Sequence, residues 1–149
     1  MTSESREYVP CAFVPKVTVI THAANAIYEG TTFDFGVASS KHMQIWMNAV
    51  GGRLKSDPRF GPAIWNTFAL PDVTAAQRER IEAAARKVLD ARTPGKSLAE
   101  LYDPLAMPPV LVKAHKALDR EFDTVLGLKD PTDAERLARL FDLYAAATA

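Results

Sequence analysis

The sequence holds a single cysteine, Cys11, in 149 residues. That excludes an internal disulfide and any zinc site built from several thiolates. An excess of either charge is also missing: 18 Lys and Arg balance 18 Asp and Glu, for a formal net charge of zero. A free-standing nucleic-acid binder of the strongly basic kind is therefore excluded, although a local basic patch is compatible with a neutral total. No apolar run approaches the length of a membrane span. The opening MTSESREYVP is polar and does not read as a signal peptide. A soluble, cytoplasmic chain without a membrane partner is the expectation. His22, His42 and His115 stand far apart, with no pair at metal-ligand spacing. No nucleophile–base set is visible, so a small stand-alone enzyme is disfavoured.

What is present suffices for a folded body. Hydrophobic residues make up 48% and charged residues 24%, the balance of a globular chain able to bury a core without disulfides. The stretch Phe33–Phe68 organises the first half. Ser40 is a candidate N-cap, followed by Met43, Trp46, Met47, Val50 and Leu54 at helical spacing. Gly51-Gly52 ends that pattern. Pro58 disfavours helix at Asp57, so Arg53–Arg59 is predicted to be extended, with Lys55 and Asp57 projecting together. Ala63–Phe68, Val9–Val14, Val17–Ile20 and Ala26–Tyr28 are strand candidates, and Phe33-Asp34-Phe35 reads as a strand end. Composition changes after Pro71. Capping boxes at Thr74/Gln77, Ser97/Glu100 and Thr132/Glu135, with Pro109 in a first helical turn, mark helices. Their inward stripes carry Ile81, Ala84, Ala85, Val88 and Leu89, then Leu111, Ala114, Leu118, Phe122 and Val125, then Leu137, Leu140, Phe141 and Tyr144. The predicted class is α+β, mostly α: a small mixed strand/helix portion over residues 1–71, then an antiparallel helical bundle over 72–149.

Three features invite a chemical reading. Asp34-Phe35-Gly36 spells a kinase metal-binding tripeptide, but the other kinase motifs are absent and the chain is too short. Ser39, Ser40, Lys41 and His42 stand at a helix start, where backbone N–H groups favour an anion such as phosphate; simple capping by Ser40 is the alternative. Arg53, Lys55, Asp57 and Arg59 form either a surface turn with an ion pair or a base-reading loop. A lysine beside an aspartate can contact both members of a G·C pair.

A resemblance bears on that choice. Phe35–Met43 and Gly52–Phe60, with Ile64–Pro71, resemble the late part of the target-recognition domain of MmeI-like restriction–modification enzymes. Leu98–Pro109, Lys113–Asp119 and Glu135–Tyr144 resemble the helical segment that follows it. The family joins an endonuclease, an adenine-specific DNA methyltransferase and a recognition domain in one chain. The resemblance places Lys55 and Asp57 on the base-reading pair, and implies double-stranded DNA and an upstream methyltransferase domain or subunit as partners. It also implies that S-adenosylmethionine is bound upstream, since the Asn-Pro-Pro-Tyr type catalytic loop, the cofactor motif and the nuclease carboxylates are missing here. The sequence departs from the family pattern at Pro58, Phe60, Gly61 and Leu70. A non-catalytic target-recognition piece is the resulting expectation. The alternative is a helical protein–protein or assembly module that reads no DNA.

Overall fold

The computed structural model describes residues 7–22, 24–51, 53–54, 57–58 and 60–149, with the backbone alone for 53–54 and 57–58. Seven helices occur among them: α1 Thr32–Ser39, α2 Lys41–Val50, α3 Pro62–Thr67, α4 Ala75–Asp90, α5 Leu98–Leu101, α6 Pro109–Val125 and α7 Asp133–Thr148. Between α2 and α3 lies one antiparallel ribbon, β1 Arg53–Leu54 against β2 Asp57–Pro58, in which Arg53 faces Pro58 and Leu54 faces Asp57.

The architecture is all-α, which corrects the α+β class. Two residue pairs do not make a sheet, and none of the four strand candidates is a strand. Ala63–Phe68 looked β-prone because of Ile64, Trp65 and Phe68. Gly61-Pro62 instead sets an N-cap with proline in the first turn, a position that needs no N–H, and the chain coils into α3. Phe33-Asp34-Phe35 belongs to α1. Thr31 accepts the Asp34 N–H while Asp34 takes the Thr31 N–H, a capping box that starts the helix just where a strand end was expected. The described residues between 9 and 31 carry bends and turns but no ladder.

The capping boxes predicted at Thr74, Ser97 and Thr132 each start a helix. Ser40 caps α2 and at the same time ends α1, so the two helices meet with no linker between them. After α6 the chain turns at Gly127, whose φ of 73° suits glycine.

Within the later half, Arg136 and Arg139 of α7 bond Asp123 and the Leu126 carbonyl at the end of α6. α4 lies between α1 and α6, and α7 packs on α2. One core results, in which Phe35, Met43 and Trp46 meet Ile81, Val88, Leu111, Leu118, Phe122 and Leu140. Close approach of α1 to α4 depends on Gly36: a Cβ there would sit 3.2 Å from the Ile81 methyl and 3.4 Å from the Ala85 methyl. The expected stripes are buried at Ile81, Ala84, Ala85, Val88, Leu111, Leu118, Phe122 and Leu140. Leu89, Ala114, Val125, Leu137 and Tyr144 are partly buried, and Phe141, 43% exposed, leans on Trp46 from outside, ring centroids 5.1 Å apart.

Candidate nucleic-acid interface

The ribbon sits on the α2–α3 connection, and both of its ends are anchored. On the α2 side the Gly51 N–H donates to the Met47 carbonyl at 2.8 Å. The indole of Trp46 donates to the Thr67 hydroxyl at 3.2 Å, which in turn donates to the Ala63 carbonyl at 2.7 Å, so α2 and α3 are tied together. On the exit side the Asn25 amide donates to the Phe60 carbonyl at 3.0 Å. Arg53–Arg59 was expected to run as one extended segment. The chain instead reverses between Leu54 and Asp57, which gives their backbone groups partners in each other rather than in water. Lys55 and Arg59, and the side chains of Arg53 and Asp57, lie outside the described residues.

The other four candidates are described in full. Ser39, Ser40 and His42 are wholly buried. The Ser40 hydroxyl donates to the Val37 carbonyl at 2.8 Å and accepts from the Met43 N–H at 3.1 Å, so its side chain is committed to the junction of α1 and α2. The Ser39 hydroxyl lies 3.1 Å from the Cys11 sulfur. The start of α2 does hold an anion, and the anion is the protein's own: the Lys41 N–H donates to Asp119 Oδ1 at 2.8 Å. Tyr8 donates its phenolic proton to Asp119 Oδ2 at 3.0 Å. His42 Nε2 is 2.8 Å from Asp123 Oδ1, and Arg136 grips the same carboxylate with Nε at 2.9 Å and Nη2 at 2.8 Å. The ammonium of Lys41 lies 3.8 Å from Asp133 and 6.0 Å from the centre of the Tyr8 ring.

The two aspartates of this network have opposite electrostatics. Burial raises Asp119 from 3.8 to about 6, against the lowering effect of the Lys41 N–H, His42 and Tyr8. Burial acts on Asp123 in the same direction but is outweighed by the Arg136 and His42 hydrogen bonds, leaving it at about 2. Burial likewise raises Tyr8, reinforced by the charge of Asp119.

A second chain of contacts joins the same centre. Arg92 Nη2 donates to the Tyr102 hydroxyl at 2.9 Å, which lies 2.7 Å from His115 Nε2. The phenol oxygen thus accepts from Arg92 and shares a hydrogen bond with the imidazole of His115. The His115 ring stacks on Tyr8 at 4.0 Å. Burial, with Arg92 adding to it, holds His115 at about 4. Sequence reasoning missed Tyr8, Arg92, Tyr102, Asp119, Asp123 and Arg136. One signal for part of the set was available: His115, Asp119 and Asp123 recur every fourth residue on the face of α6 that also carries Leu111, Leu118 and Phe122. Polar groups at core spacing call for buried partners.

Among the described residues no group of three or more His, Cys, Asp or Glu side chains could hold a metal ion. No helix among them is long and apolar enough to cross a membrane.

Comparison with known proteins bears on the whole chain. The family model for the MmeI target recognition domain matches residues 1–72, and that for the MmeI C-terminal domain matches residues 73–149. The chain belongs to the MmeI family. It is 35% identical over 147 residues to DNA methyltransferase A of Bacillus subtilis (strain 168), covering 97% of this chain and 17% of that protein. The type IIL restriction–modification enzyme MmeI, solved in complex with DNA, superposes with a TM-score of 0.77 at 42% identity, over 80% of this chain and 17% of that one. The MmeI-family segment in hand thus spans about a sixth of the length of each relative.

Proposed function

We propose that this chain supplies the last part of a DNA target-recognition unit and the helical scaffold behind it, in a restriction–modification methyltransferase whose catalytic portion lies upstream. The observation that carries the reading is the match of residues 1–72 to the target recognition domain of the family, on a body that anchors both ends of the α2–α3 ribbon. In this reading the ribbon enters the major groove. Lys55 donates to guanine, Asp57 accepts from cytosine, and Arg53 and Arg59 hold phosphates that fix register. Ser39, Ser40 and His42 act from within, holding α2 in place, while the Lys41 ammonium stands at the surface. Adenine methylation requires the target base to be flipped from the stack, and that step and S-adenosylmethionine binding belong to the upstream portion.

The test is an exchange of chemistry inside a complete methyltransferase carrying this segment. Lys55→Glu with Asp57→Arg should move the preference at one position from G·C to C·G, a wrong pair costing about 1–3 kcal/mol in either protein. Methylation is scored over all four pairs at each position. A double variant that shifts no position, or is dead on every sequence, would make the pair structural. The isolated chain should bind duplex DNA weakly and lose that binding between low and physiological salt, because only a few phosphates are engaged. Absence of binding at low salt would favour an assembly module that reads no DNA.

A further inference from the structure

Between Phe13 and Tyr28 the chain leaves apolar side chains uncovered. Val17 is 90% exposed, Val19 87% and Tyr28 88%, with Phe13 and Val14 each more than half exposed. The segment is rooted at both ends. Before it, Tyr8 is buried and bonded to Asp119, and Val9 and Cys11 pack against the core. After it, Thr31 opens α1, and within it Phe13 stacks on Phe35 and the Asn25 amide donates to the Phe60 carbonyl. Between these roots the described backbone bonds are turn closures, Thr18 N–H to the Pro15 carbonyl at 2.9 Å and Ala24 N–H to the Thr21 carbonyl at 3.1 Å. Lys16 is the one Lys, Arg, Asp or Glu from Val9 to Tyr28, so neither DNA nor a charged protein face matches this surface. Exposed apolar side chains gathered in one short segment are the kind of surface that marks an interaction site.

We infer that Phe13–Tyr28 is a docking arm whose occupant is an uncharged apolar surface on the remaining polypeptide of a full-length MmeI-family enzyme. Two observations select that occupant over a second copy of the chain. The arm lies within the stretch matched to the target recognition domain, and the chain accounts for 17% of each relative, so most of the surface that could cover the arm lies outside it. The inference needs family membership but not base reading by the ribbon.

The probe is Bacillus subtilis DNA methyltransferase A with the segment matching this chain removed. Mixed with the purified chain, it should form a complex by sedimentation velocity. Backbone amides of Val17, Val19, Ile20 and Tyr28 should then exchange at least about 100-fold more slowly than in the chain alone. Val17→Asp with Val19→Asp should abolish the complex while leaving the melting temperature of the isolated chain unchanged, since both side chains are exposed. A covalent chimera, with this chain in place of the removed segment, takes affinity out of the test and should show the same protection. Unprotected arm amides in the chimera overturn the proposal. So does protection in the chain alone accompanied by dimerisation, which would make a second copy the occupant. DNA binding by the isolated chain is measured alongside: its absence at low salt, with the arm protected in the chimera, marks failure of the recognition reading and not of the arm.

Discussion

Replacing Asp119 should reveal how the centre of the molecule balances its charges. Asp119 is 6% exposed and accepts the Lys41 N–H and the Tyr8 hydroxyl. Asp119→Ala leaves both donors buried without a partner, at about 1–3 kcal/mol each. A loss of about 2–5 kcal/mol at pH 7 follows. Asp119→Asn should behave differently. Its oxygen can still accept from Lys41 and its amide can donate to the Tyr8 oxygen, while the buried negative charge disappears; a change below about 1 kcal/mol is expected at pH 7. The pH dependence is more diagnostic. Asp119 is raised from 3.8 to about 6, so its contribution to stability is fully present below 3.8 and is lost as pH rises through about 6. His115 is lowered from 6.5 to about 4; its contribution is fully present above 6.5 and is lost as pH falls toward about 4. Between pH 4.5 and 6.5 each is worth about 2 kcal/mol, with opposite sign. The unmodified chain should therefore have nearly flat stability across that window. Asp119→Asn removes one slope and exposes the other, so its stability should rise by about 2 kcal/mol from pH 4.5 to 6.5. Urea denaturation at four or five pH values, with Tyr8, Lys41, His42 and Arg136 intact around the site, measures both curves. Parallel curves would show that Asp119 does not titrate in this range and that the account of its burial is wrong.

Other perturbations follow from packing. Leu118→Ala should cost about 2–5 kcal/mol, while Phe141→Ala, at a site 43% exposed, should cost less than about 1.5 kcal/mol by the same denaturation assay. Gly36→Val forces a side chain into the α1–α4 contact, where even a Cβ would stand 3.2 Å from Ile81, and should cost about 1–3 kcal/mol, with Gly36→Ala below it. Arg136→Ala strips Asp123 of its two-pronged partner; acid unfolding, which for Asp123 begins below 3.8 and runs toward about 2, should move to higher pH. Residues 72–149 alone should lose cooperative thermal unfolding by circular dichroism, because α4 and α7 would be stripped of α1 and α2.

Legibility in the sequence tracked the range of the interaction. The boxes at Thr74, Ser97 and Thr132 could be read because each is settled within four residues. Thr31 and Asp34 form the same device with Asp in place of Glu, and were passed over because Phe33 and Phe35 suggested a strand. Helix propensity at Ile64–Thr67 is poor, yet Gly61-Pro62 and the Trp46–Thr67 bond override it. At Ser39–His42 the local rule that a helix start attracts an anion held, but the anion came from a residue 78 positions away. No spacing within the stretch could have indicated Asp119. The reversal at Leu54–Asp57 was hidden for a different reason: Pro58 is compatible with an extended segment and with an edge position of a ribbon alike.

The packing of α1 against α4 and of α2 against α7 has a consequence for how members of this family could trade specificity. A cut at residue 72, where the two family matches meet, separates side chains that fill one another's gaps: Gly36 from Ile81, Trp46 from Tyr144, Lys41 from Asp119. Grafting one member's first half onto another's second half would set two unrelated surfaces face to face, and each exchanged residue in that seam would bring a cavity or a clash. Recombination that conserves this seam carries both halves together and leaves the shared core intact.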